Sequence, residues 1–196
     1  MLQANKENNS AFRQESYLSG QVKPHSHKSA LPELKIEPFT LSKVSRLLSW
    51  TDSERELKLW SGNTFKDSPT PQTFISHLNR GNLHPFAGVS QHGNFVAYGE
   101  LVGEKGGEGI ICRVIVEPKL RGQAYGRSFC SELLRIAFDE LNYTHLTLNA
   151  FHFNVPAIRC YKALGFRQIA FRPKARRFQN EDWDLVILRK DRPLFS

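Results

Sequence analysis

The sequence is short of the features that mark several common classes of protein. Its three cysteines, Cys112, Cys130 and Cys160, show no CxxC spacing and have no histidine cluster beside them. That argues against a disulfide framework or a structural zinc site, and it leaves reduced thiols and no metal ligand set. No apolar run approaches the roughly 20 residues of a bilayer span, and the polar start MLQANKENNS carries no apolar signal core. The expected setting is the cytoplasm, with no membrane partner. GxGxxG and the Walker Lys-Ser/Thr ending are also missing, which disfavours dinucleotide and P-loop nucleotide binding. Acidic residues are absent from Arg159 to Arg177, where seven basic ones lie. With 27 Lys and Arg against 19 Asp and Glu, net +8, the chain presents this segment either as a solvated face or to an anion: an acidic substrate, a phosphorylated cofactor or nucleic acid. Aromatic interleaving of its Arg-rich end is thin, with Phe171 and Phe178 flanking Arg172 to Arg177, and no RNP-like or helix-turn-helix pattern occurs. Nucleic acid is therefore not the expected partner.

At 196 residues, 40% of them hydrophobic and 23% charged, the chain has material for one domain. Residues 1–33 are polar and without periodicity, and are expected as a flexible tail; residues 34–196 form the domain. LKIEPF alternates like a short strand, and LSKVSRLLSW, which Thr40 or Ser42 can cap, reads as a helix. SERELKLWSG then supplies Leu57, Leu59 and Trp60, and TPQTFISHLNRG predicts a short helix behind its proline, ended by Gly81. FAGVS and NFVAYGELV are strands joined through QHGN. IICRVIV is almost continuously apolar and predicts a strand buried on both faces. A helix over 127–141 follows, then strand HLTLNAF, a helix over 155–164 stopped by Gly165, strand FRQIAF, and strand WDLVILR beyond an Arg-rich loop. The class is mixed α/β, with βαβα order in the second half and no internal repeat.

The turn between IICRVIV and its helix is RGQAYG. A loop entering a helix exposes unpaired N–H groups at the positive end of the helix dipole, and Gly122 and Gly126 let that backbone approach an anion. The segment is either a diphosphate cradle or only a turn.

Two stretches here resemble the GNAT superfamily of acyl-CoA-dependent N-acetyltransferases. VIVEPKLRGQAYGRSFCSELL is similar to the family's strand, Arg/Gln-x-x-Gly-x-Gly/Ala loop and helix, and NVPAIRCYKALGF to its Asn-x-x-Ala-x-x-x-Tyr-x-x-x-Gly-Phe segment. LLSW and KLWSG add a fainter likeness to bacterial members near the ribosomal-protein N-acetyltransferases. The resemblance implies one domain with a central, mostly antiparallel twisted sheet, a splayed parallel pair of strands and flanking helices. It implies transfer of acetyl from acetyl-CoA directly to a primary amine of a small molecule or protein, by a monomer or homodimer. In that reading Val114, Ile115 and Val116 offer strand-edge groups to the pantetheine arm, and Arg121, Gly122, Gln123, Ala124, Tyr125, Gly126 and Arg127 hold the diphosphate. Asn154 touches the cofactor arm and Tyr161 protonates the departing thiolate; without the resemblance Tyr161 would read as an aromatic packed between helix and sheet. Ala124 stands where the family places its first signature glycine, which is harmless in a helical turn and strained if the backbone needs positive φ. The alternative is a noncatalytic acyl-CoA-binding or RNA-binding module on the same fold.

An attacking amine must be neutral, so a base or a water chain has to take its proton. The position where some ribosomal-protein members carry glutamate is Asn149 here. Glu108 and Glu100 are the remaining catalytic candidates, with His152 behind them, and each is otherwise a surface residue. A strand N–H near Val116 can stabilise charge on the thioester oxygen. Cys112 and Cys160 have no evident base partner, so covalent catalysis is not expected. The resemblance also puts Trp50, Trp60 and Phe65 near the acceptor pocket, although tryptophan and phenylalanine are core residues by default.

Overall fold

The computed structural model describes residues 30–194. The alternating and apolar segments form seven strands, β1 (Leu34–Pro38), β2 (Leu83–Ser90), β3 (Phe95–Glu104), β4 (Glu108–Val116), β5 (His145–Phe151), β6 (Arg167–Phe178) and β7 (Glu181–Asp191). The helices are α1 (Val44–Leu48), α2 (Glu54–Ser61), α3 (Pro71–Leu78), α4 (Tyr125–Arg135), which a π-helical turn prolongs to Glu140, and α5 (Val155–Ala163). Ser53 caps α2 by accepting from the Glu56 N–H at 3.2 Å, and Thr70 caps α3 in the same way ahead of Pro71. Thr40 makes no such bond at the 3-10 turn before α1. Pro32 is already tied to the folded unit, its carbonyl accepting from Ser128 Oγ at 2.6 Å. The tail expected over residues 1–33 lies, up to residue 29, outside the described residues.

The strands make one sheet in the order β1-β2-β3-β4-β5-β7-β6, antiparallel except for β4 beside β5. On one face α4 and α5 cover a core built on Phe129, Leu133, Leu146, Leu148 and Leu188. On the other, α1, the turn after it, α2 and α3 bring Leu47, Trp50, Trp60 and Phe74 onto Ala87, Phe95, Tyr98 and Ile115. Phe129, fully buried, lies where a Cβ on Gly88 or Gly99 would come within 2.7 Å of its ring. Two strands therefore use glycine to let α4 settle onto the sheet, and any larger residue there must push the helix outward.

The parallel pair is short. Glu108 to Ile110 pair with His145 to Thr147, after which the strands separate while β5 stays paired with β7 to Phe151. A bulge in β4, marked by the register slip against Tyr98 and Glu100 and by Arg113 at φ +50°, bends the strand where the gap opens. This explains why β4 is not buried on both faces as its apolar run predicts: Ile110, Cys112, Val114 and Val116 are half-buried because they border a gap. The Arg-rich stretch expected as a loop is instead strand. β6 runs to Phe178, accommodating an irregularity between Arg172 and Arg176 where the Lys174 N–H donates to Asp184 Oδ1 at 2.8 Å. Among the described residues, no helix is long and apolar enough to cross a membrane.

Candidate active site

The wedge between β4 and β5 holds two adjoining spaces. One, of about 570 Å³, lies against Val114, Val116, Gly122, Ala124 and Gly126. The other, of about 400 Å³, lies between Cys112, Arg113, Asn149 and Arg176. Trp60, Asn154, Ala157 and Tyr161 border both, so the spaces communicate beside the tyrosine. α2 spans the wedge. Its Trp60 Nε1 donates to the Arg113 carbonyl at 2.7 Å on the β4 side, and its Arg55 reaches Glu181 Oε2 at 2.8 Å and covers the Trp183 ring at 5.0 Å on the β7 side.

The larger space is built of backbone. Glu117 donates to the Val96 carbonyl at 2.9 Å and Ile115 pairs with Tyr98, so alternation along β4 turns the backbone of Val114 and Val116 toward the edge that β5 has left. Ile115 itself faces β3 and buries its side chain in the aromatic core. Next, Gly122 at φ +80° and Ala124 at φ +64° fold the loop over the start of α4. The N–H groups of Gly122, Ala124, Tyr125 and Gly126 find no backbone acceptor among the described residues. Four free donors at a helix N-terminus beside an open strand edge fit the diphosphate and pantetheine arm of coenzyme A.

Arg121 lines the same space with its guanidinium already engaged: it donates to Glu56 Oε1 at 2.7 Å, to the Trp50 carbonyl at 3.0 Å and, through Nε, to the Val116 carbonyl at 3.3 Å. Burial acts to raise the Glu56 carboxyl, but the Arg121 hydrogen bond and charge outweigh it and leave the group below the usual carboxylate range. Arg121 thus locks the loop to α2. Gln123 likewise bonds to its own loop, at the Lys119 carbonyl, and Arg127 stands exposed on α4.

Ala124 sits in the left-handed region, the strained alternative of the two that its sequence position allowed. An L-residue there costs about 1–2 kcal/mol, partly offset by the lower unfolded-state entropy of alanine relative to glycine. Ala124→Gly is therefore expected to stabilise the protein by about 0.5–1 kcal/mol and raise the thermal midpoint by about 1–4 °C. A lower midpoint in calorimetry would show that the residue is not strained.

Tyr161 is half-buried where the two spaces meet, its ring edge against Phe166 at 5.9 Å, and its hydroxyl has no hydrogen-bond partner among the described residues. Burial holds the phenol well above the ordinary tyrosine value, so it stays protonated. Asn154 caps α5, its Oδ1 accepting from the Ala157 N–H at 3.3 Å, while the residue also borders both spaces.

The two carboxylates expected near the chemistry are elsewhere. Glu108 is exposed at the paired end of β4, beside His145, about 20 Å along the strand from Val114 at 3.3 Å per residue. Glu100 is fully buried, accepting from the Tyr98 hydroxyl at 2.7 Å, His77 Nε2 at 3.1 Å and Arg113 Nε at 2.6 Å. Burial acts to raise its carboxyl, but the bonds from His77 and Arg113 win and hold it down. With both oxygens engaged and a depressed pKa, Glu100 is a structural anion, not a base. His152 stands outside the cleft against Phe171. No carboxylate or histidine lines the smaller space among the described residues. Cys112 borders it, but burial raises its thiol and no base adjoins it.

Of the three aromatics considered for the acceptor pocket, Trp50 stacks on Phe95 at 4.5 Å and Phe65 packs on Phe74, both in the core; Trp60 alone reaches the cleft. Arg113 and Arg176 also line the smaller space, beyond the residues the sequence points to one by one. The signal for Arg113 was visible as the one charge within IICRVIV.

A family model described as Acetyltransferase (GNAT) family matches residues 45–166. Among solved structures, spermidine N-acetyltransferase from Vibrio cholerae in complex with CoA and spermine is similar at a TM-score of 0.71 and 14% identity, over 81% of this chain and 95% of that one. A candidate phosphinothricin N-acetyltransferase is similar at a TM-score of 0.69 and 17% identity, over 81% and 98% of the two chains.

Proposed function

The chain belongs to the acetyltransferase (GNAT) family and transfers acetyl from acetyl-CoA to an amine, and from that premise we propose how its residues divide the work. The larger space takes the cofactor. The Val114 backbone and the Val116 N–H bind its arm as an added strand would, and the amides of Gly122, Ala124, Tyr125 and Gly126 hold its diphosphate. When bound, acetyl-CoA supplies an activated acetyl thioester. Tyr161 donates its hydroxyl hydrogen toward the sulfur, and Asn154 orients the arm from the cap of α5. The smaller space receives a primary amine of a small molecule or a protein.

The observation that carries this reading is the meeting of the two spaces at Tyr161, a free hydroxyl between a bed of amide donors and a second chamber. Because no carboxylate or histidine lines that chamber among the described residues, the amine gives up its proton to water. Low-pKa amines are favoured accordingly. At pH 7 about one α-amino group in six to eleven is neutral, against about one lysine side chain in 2,500, from pKa values of about 7.7–8.0 and 10.4. The three free thiols fit the cytoplasm.

Release of thiol from acetyl-CoA, measured over a panel of small amines and N-terminal peptides, tests the assignment; silence across the panel with acetyl-CoA still bound would favour a noncatalytic module. Gly126→Leu tests the cofactor bed. A Cβ at Gly126 meets only Val116 at an ordinary 3.5 Å, so the variant folds while its side chain intrudes on the space. The dissociation constant for coenzyme A is expected to rise about tenfold or more, the loss of roughly one charge-assisted hydrogen bond, and an unchanged value would remove the bed from this location.

A further inference from the structure

We propose that the acceptor is an amine carrying a negatively charged group, and that Arg176 recognises that group. This rests on reading the 400 Å³ space as the acceptor chamber. The chamber is lined by two arginines and, among the described residues, by no carboxylate. The two arginines differ in what they have left to offer. Arg113 spends Nε on Glu100 and Nη1 on Thr64 Oγ1 at 3.0 Å, so its charge is balanced by a buried partner. Arg176 is exposed, bonds only to the neighbouring Ala175 carbonyl at 2.7 Å, and has no carboxylate partner among the described residues.

The acidic residues near Arg176 are already engaged. Asp184 accepts from the Lys174 N–H, Asp182 pairs with Lys174 at 3.5 Å, and Glu181 holds Arg55 and Trp183 Nε1. The chamber therefore keeps one uncompensated positive charge, with the neutral amides of Asn63 and Asn149 beside it. A planar guanidinium at the wall of a half-enclosed space suits a carboxylate or a similar oxyanion and opposes a second ammonium group. The extension of the Arg-rich segment as strand β6, where a loop was expected, is what delivers this side chain to the cleft. A carboxylate could come from a small amino acid or from an acidic residue behind a polypeptide N-terminus, and the chemistry is the same.

The test uses two matched sets of probes with the full chain. The small set is 4-aminobutyrate, 4-aminobutanamide and 1,4-diaminobutane; the peptide set is Ala-Asp-Ala amide, Ala-Asn-Ala amide and Ala-Lys-Ala amide. Binding is measured by calorimetry on protein saturated with coenzyme A, and turnover by thiol release from acetyl-CoA. In whichever set binds more tightly, the carboxylate probe is expected to exceed the ammonium probe by tenfold or more. Arg176→Gln is expected to erase that preference, while Arg177→Gln, which removes the same charge from the neighbouring residue outside the chamber, keeps it. A flat or reversed ranking in the wild-type protein, or a preference that survives Arg176→Gln, overturns the inference. Should the carboxylate probes bind through Arg176 without turnover of any probe, anion recognition stands and the acceptor reading of the chamber falls. The set that binds identifies the source.

Discussion

Tyr161→Phe is expected to lower kcat by about 10²–10³-fold while the dissociation constant for coenzyme A changes by less than about twofold. The size follows from removing one preorganised donor aimed at charge developing on the departing sulfur. The hydroxyl has no other work to do, being without a hydrogen-bond partner among the described residues, so its loss leaves no buried group unsatisfied. Burial raises its pKa well above the ordinary value of about 10. A phenol so placed stays protonated at any working pH and serves as a donor to sulfur rather than as a base. The pH profile of kcat/KM then belongs to the amine. In the wild-type enzyme it should climb about tenfold per pH unit until the acceptor's own pKa is reached, with no plateau from a carboxylate or imidazole base. Equal kcat in wild type and variant would take Tyr161 out of the chemistry, and a plateau near pH 5–7 would reveal a base that the chamber does not display.

Glu100→Ala should be the most damaging substitution for stability. It would strand the buried Tyr98 hydroxyl and the Arg113 guanidinium, whose side chain is 9% exposed, both now donating to the carboxylate. Removing one member of such a buried pair costs about 3–5 kcal/mol, about 6–20 °C in the midpoint for a domain of this size. The same anion sets an acid limit. Its carboxyl lies below the usual range in the folded protein, against about 4.3 when unfolded. The unfolded chain therefore binds more protons between those values, so the stabilisation is complete above about pH 4.3 and is lost as pH falls through the folded pKa. Calorimetry from pH 3 to 7 on both proteins would read this directly: the midpoint gap should narrow on acidification. A gap independent of pH would mean that Glu100 is not charged in the native state.

The order of strands and helices was legible because period-two and helical patterning survive in the sequence, and the two motif stretches do meet in the fold at Asn154, Tyr161 and Gly126. What was not legible depends on neighbours distant in sequence. Nothing near Arg121 announces that Glu56 will claim it, since the two are joined only when α2 crosses the wedge. Glu100 stands as a base candidate in the sequence only because it is one of two carboxylates remaining near the central strands; its three donors come from α3, β3 and β4, and only their convergence turns it into a structural anion. IICRVIV read as doubly buried for a related reason, because an edge facing a ligand space needs the same apolar residues as one facing protein. The Arg-rich segment reads as a loop in the sequence, whereas its pairing with β7 is fixed by the partner strand.

The anchor of α4 carries a further consequence. Phe129 sits one helical turn after Tyr125, the first residue of α4, and its ring occupies the hollow left by the missing side chains of Gly88 and Gly99. The altitude of the anion-gripping amides above the strands is thus calibrated by two methyl groups that are not there. A single carbon added to Gly88, on a strand that borders neither chamber, would lift the whole cradle, and the enzyme would register a core defect as slackened hold on its acyl donor.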